Sequence, residues 1–128
     1  MKQPVEVVCA LIQDFHRTSV FLAKRSSSSL RPDLWEFPGG KVEEGEPHEQ
    51  ALQRELGGKL QVESTIGKPI TTVSIDFEVS ARISLYDVRI WQTPRVTALD
   101  WAVKHMPLVP SCYLFYRQAA LWLATDGA

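Results

Sequence analysis

The sequence predicts an α+β domain in which a mixed sheet packs with two helices. Three observations predict it. Runs rich in β-branched and apolar residues recur at strand length along most of the chain, only two segments carry helical spacing, and Pro and Gly clusters punctuate the rest. The 128 residues make one ordinary domain, residues 1–128, with no linker and no internal repeat. A chain of that size buries roughly two-thirds of its unfolded surface and needs no disulfide or metal staple. A hydrophobic fraction of 45% with 23% charged residues is that of a folded chain. Fourteen basic against fifteen acidic residues leave a net charge of −1, which removes the global electrostatic case for nucleic acid or a membrane surface. No apolar run reaches the ~18–20 residues of a membrane-spanning helix. Glu6 stands where a secretory signal would be apolar, so the expected location is the cytoplasm. Cys9 and Cys112 are far apart, have no CxxC partner, and are expected to be free, buried thiols.

The elements follow in order. Val5–Gln13 is a largely buried strand, Asp14–Arg17 a turn, and Thr18–Arg25 the hairpin partner of the first strand. Ser26–Ser29 and Arg31-Pro32-Asp33 form a loop. Leu34–Phe37 is a short strand that Pro38-Gly39-Gly40 stops, and Lys41–Glu46 is a polar loop. A helix runs from Pro47, whose missing N–H costs nothing at a first helical position, to about Leu56, where Gly57-Gly58 ends it. Val62–Ile66, Ile70–Val79 and Arg82–Trp91 are three further strands, and Thr97–Val103 is a candidate fourth. Pro107–Pro110 is a loop, and Tyr113–Ala124 the final helix, with Leu114, Ala120, Leu121 and Ala124 at helical spacing.

The chemistry lies in Lys41–Lys59, which holds Glu43, Glu44, Glu46, Glu49 and Glu55. Such an acidic loop and helix is by itself a solvated face. Two glycines immediately before it, Gly39 and Gly40, change that reading, because they permit a close backbone approach or left-handed conformations that a side chain would forbid. Gly40, five residues, Glu46, seven residues and then Arg54-Glu55-Leu56 resemble the first two-thirds of the Nudix box. The flank from Leu34 to Glu43, reading LWEFPGGKVE, resembles the MutT type, which includes CTP pyrophosphohydrolases.

The resemblance implies a mixed sheet between helices and hydrolysis of a nucleoside diphosphate linked to another group, with Mg²⁺ or Mn²⁺ neutralising the phosphate oxygens. The physics fits the spacing. A divalent ion needs several hard oxygen ligands, and a helix gathers carboxylates at i, i+3 and i+4, whose Cβ atoms lie about 5–6 Å apart. By resemblance Glu55 is the catalytic and metal-binding carboxylate, Gly40 supplies a carbonyl to the metal, and Gly39, Glu46 and Arg54 shape the box. Glu46 and Arg54 brace the loop against the helix.

The chain departs from this pattern where the metal should sit. The family's two adjacent glutamates fall on Gly58 and Lys59, its following Gly falls on Gln61, and a further acidic ligand from a later loop aligns with Arg95. Each of the three acid replacements makes the site more positive, so a place built for divalent cations would repel them. His48 shares a face with Glu55, but seven residues of helix put it about 10.5 Å away along the axis, too far to share one metal. Arg25, Glu36, Phe37 and Lys41 stand at positions that meet the nucleotide in the family. Cys112 stands where the last residue of a Pro-Ala-Asp or Pro-Ala-Asn loop would read the base, and a thiol is a weak donor and acceptor. Lys59 and Arg95 are candidate phosphate contacts in their own right. The expectation is a degenerate MutT-like protein that binds a nucleotide or another pyrophosphate-containing small molecule with weak or no hydrolysis. An active Mg- or Mn-dependent pyrophosphohydrolase is the alternative, and a purely structural protein partner a third reading.

Overall fold

Val5–Ile12 forms strand β1, and Val8 through Ile12 are all buried, as expected of a strand covered on both faces. These positions come from a computed structural model that describes residues 4–13, 21–24, 35–76, 80–92 and 99–101. The remaining elements are β2 (Phe21–Lys24), β3 (Trp35–Glu36), β4 (Gly39–Lys41), helix α1 (His48–Leu60), β5 (Ser64–Asp76), β6 (Ser80–Ile90) and β7 (Leu99–Trp101). A four-stranded sheet has the order β4-β1-β6-β5, and a three-stranded sheet the order β3-β2-β7. β1 runs parallel to β6 and antiparallel to β4, so the larger sheet is mixed. The expected α+β architecture is therefore present. The expected final helix, the turn at Asp14–Arg17 and the loops at Ser26–Asp33 and Pro107–Pro110 lie outside the described residues.

α1 covers the larger sheet through Ala51, Leu52, Leu56 and Leu60, which are 0–2% exposed. They join Val8, Ala10 and Ile12, the alternate positions of β1, and Val88 of β6 in one core cluster. The helix differs from its expected span at both ends. Pro47 is the cap, at φ −64° and ψ 148°, and His48 is the first helical residue. At the other end the helix passes through Gly57-Gly58 to Leu60. Each Gly costs about 1 kcal/mol relative to Ala, but burying Leu56 and Leu60 one turn apart outweighs that penalty. The stop comes at Gln61, which takes the left-handed conformation at φ 56° that Gly usually supplies.

Three strand expectations are corrected. β2 is not the hairpin partner of β1; it pairs with β3 and β7 in the other sheet. The edge of β1 that a hairpin would use is taken by β4, and by Ala10 N donating to Pro38 O at 2.8 Å. Gly39-Gly40 does not stop a strand but forms one, because β4 lies so close to β1 that a methyl group on Gly39 would overlap the Val8 carbonyl. The strands expected at Val62–Ile66 and Ile70–Val79 are one element, β5, with register shifts on either side of Pro69. Proline is tolerated there because β5 is an edge strand and the irregularity absorbs its missing donor.

Candidate functional site

The C-terminal half of α1 faces β4, and the loop between them folds back onto the helix. That fold-back has an electrostatic cause. Arg54 Nε donates to Glu46 Oε2 and Nη2 to Glu46 Oε1, both at 2.9 Å, a bidentate fork. The Glu43 amide donates to Glu46 Oε1 at 3.0 Å, and Arg54 Nη2 also donates to the Lys41 carbonyl at 3.0 Å. Arg54 thus ties loop, strand and helix together. The Arg54 side-chain bonds, then the Glu43 amide, hold the Glu46 carboxyl down at about 2. The guanidinium is pushed up in turn, chiefly by its bonds to Glu46.

Glu55 lies one residue further along, its side chain 16% exposed. Its Oε1 accepts from Arg54 Nη1 at 2.9 Å, and Lys59 Nζ lies 3.4 Å from its Oε2, an i,i+4 pair. Gly40 backs this carboxylate: a Cβ there would sit 2.6 Å from both carboxylate oxygens. Lys59 Nζ also donates to the Gly39 carbonyl at 2.5 Å. One ammonium therefore links a strand carbonyl to the one acidic side chain left on this part of the helix.

The described residues do not fit a divalent cation. Such ions want several uncommitted oxygens, whereas both Glu55 oxygens face cations and the Gly39 carbonyl is bonded to Lys59. No group of three or more His, Cys, Asp or Glu side chains converges among the described residues. Gly58 offers nothing to a metal; a Cβ added there would meet no atom within 4 Å.

Of the sequence-predicted residues, Gly39, Gly40, Lys41, Glu46, Arg54, Glu55 and Lys59 come together here. Lys41 enters through its carbonyl, while its side chain is exposed. Glu36 is half-buried in β3, and Phe37 is 1% exposed. Arg25, Arg95 and Cys112 lie outside the described residues. Sequence reasoning looked to the Gly40 carbonyl, whereas the carbonyl engaged by a cation is that of Gly39. It also missed a second polar cluster. His48 Nδ1 and the Tyr86 hydroxyl are 2.8 Å apart, His48 Nε2 lies 3.6 Å from Glu6 Oε2, and Arg82 Nε 2.7 Å from Glu6 Oε1. Burial, and then the charge of Glu6, push the Tyr86 phenol up. The Glu6–Arg82 part of this cluster follows from the parallel register of β1 and β6, a pairing with no local signal in the sequence.

A helix whose Arg-Glu pair is braced by a loop glutamate, laid beside a Gly-Gly strand on a mixed sheet, defines a class. The chain belongs to the Nudix family: the NUDIX domain model matches residues 2–83. It is similar to the CTP pyrophosphohydrolase of Escherichia coli K12, with 39% identity over 105 residues, 82% of this chain and 73% of that protein. It is also similar to the 8-oxo-dGTP diphosphatase of Proteus vulgaris, with 36% identity over 92 residues, 71% of this chain and 81% of that one. Among solved structures, the solution structure of the E. coli ORF135 protein aligns with a TM-score of 0.80 at 29% identity, covering 98% of this chain and 95% of that one.

Proposed function

We propose that this Nudix protein binds a nucleotide or another pyrophosphate-containing small molecule and hydrolyses it weakly or not at all. One observation carries the reading: the Lys59 ammonium pairs with the Glu55 carboxylate, the side chain that a divalent ion would need, and is tethered there by the neighbouring Gly39 carbonyl. Metal-assisted attack on a phosphorus loses most of its electrostatic stabilisation without such an ion. The Arg54–Glu46 brace of the loop, by contrast, is present, which supports a binding role for the segment. The proposal places the protein in the cytoplasm, as one domain over residues 1–128, with room for a protein partner. The experiment is Mn²⁺ titration with release of phosphate or pyrophosphate measured over a panel of nucleoside di- and triphosphates. Turnover near the buffer blank at every Mn²⁺ concentration is expected.

The second reading, an active pyrophosphohydrolase, is favoured by the names of the two relatives and by Glu55 remaining beside its Arg54–Glu46 brace. Rapid metal-dependent hydrolysis of any panel member, abolished in Glu55→Gln, would establish it and overturn the first.

A further inference from the structure

We infer that Lys59 is the site's resident cation, and that its ammonium binds the pyrophosphate group directly, with no divalent ion; the inference rests on the binding function proposed above. The donor inventory points to it. An ammonium has three N–H donors. Lys59 directs one to the Gly39 carbonyl and pairs with Glu55 Oε2, and its side chain is 57% exposed, so donor capacity remains toward solvent. Arg54 is different. Its bonds to Glu46, Glu55 and the Lys41 carbonyl commit four of the five guanidinium N–H donors to protein oxygens. Of the two cations that pair with Glu55, Lys59 is the one with donors left for an incoming anion.

The charge balance agrees. Glu46 and Glu55 are both paired, with Arg54 and Lys59, so neither carboxylate is left uncommitted for a divalent cation. An anion approaching the same place meets the carbonyl end of α1, which disfavours negative charge. The Lys59 ammonium, in the last turn, is what offsets that end. Anion affinity at this helix end therefore depends on Lys59. The simpler role, a lysine that only complements the helix terminus, predicts a change in stability without a change in binding.

Calorimetry with inorganic pyrophosphate in EDTA at low salt separates the possibilities. The wild-type protein is expected to bind under chelation, with affinity that falls as salt rises. Lys59→Met should weaken it by about tenfold or more, the usual effect of losing a charged hydrogen bond. Lys68→Met, which removes an exposed charge from β5, should change it less than about twofold. Binding in EDTA that Lys59→Met leaves intact, or that Lys68→Met weakens equally, would overturn the inference. Binding seen only when EDTA is replaced by Mg²⁺ or Mn²⁺ would also overturn it while leaving the proposed binding function standing. No binding under either condition would sink both.

Discussion

Glu46 accepts from Arg54 Nε, Arg54 Nη2 and the Glu43 amide, so its carboxylate is satisfied only while ionised. Its pKa falls from an ordinary 4.5 to about 2 in the folded protein. A depressed folded pKa contributes stability that is fully present above the unfolded value and is lost as pH falls toward the folded one. The window is therefore from about pH 4.5 down to about 2. Thermal melts of wild type and Glu46→Gln should differ at pH 6 and converge toward pH 2, because protonation and the substitution remove the same bonds. At Lys59 the relevant change is a reversal of charge. Gly58→Glu with Lys59→Glu removes the tether to Gly39 and puts three acids on one part of the helix. Chelator-sensitive nucleotide hydrolysis should appear in this double variant and stay absent in the parent; a colorimetric phosphate assay reads it. The Glu46–Arg54 brace was legible in the sequence, because the two residues stand at a fixed spacing. The Lys59–Gly39 bond was not, since nothing local says that the end of a helix meets a carbonyl twenty residues back.

At the scale of elements, α1 shows where local signals stop being decisive. Its start was readable from Pro47 to within one residue. Its end was not, because Gly57-Gly58 is a good local stop that the burial of Leu60 overrides. The strands divide the same way. β1 and β6 were readable as apolar runs, whereas β4 looked like a stop and β5 like two strands, because Gly and Pro signal punctuation whether they end a strand or kink it. A direct consequence concerns Gly58. The space beside it is open, so Gly58→Ala removes a backbone entropy cost without a clash. It should stabilise the protein by about 0.5–1 kcal/mol, read as a higher urea midpoint at an unchanged m-value.

Across the whole molecule, the site depends on an edge strand held by its pairing with β1 and by two side chains of α1. β4 is three residues long and borders the larger sheet, with β1 on one side and the end of α1 beyond it. Its two glycines are constrained by different neighbours, and this separates fold from site. A methyl group on Gly39 would meet the backbone of Val8 and Cys9 in the middle of β1, which is paired along its length to β6 and has nowhere to move. The atoms nearest a methyl group on Gly40 would be the end of the Glu55 side chain, which can swing away. Gly39→Ala should therefore destabilise the protein by about 2 kcal/mol or more, the scale of overpacking a rigid contact, and weaken pyrophosphate binding by displacing the carbonyl that holds Lys59. Gly40→Ala should leave stability within about 1 kcal/mol of wild type, the cost of a flexible side chain adjusting. It should still alter pyrophosphate binding, because a displaced Glu55 releases one of the two groups that position the ammonium. Urea unfolding and calorimetry on the same two variants check both halves. Equal loss of stability in both would mean that β4 is set by the helix rather than by β1.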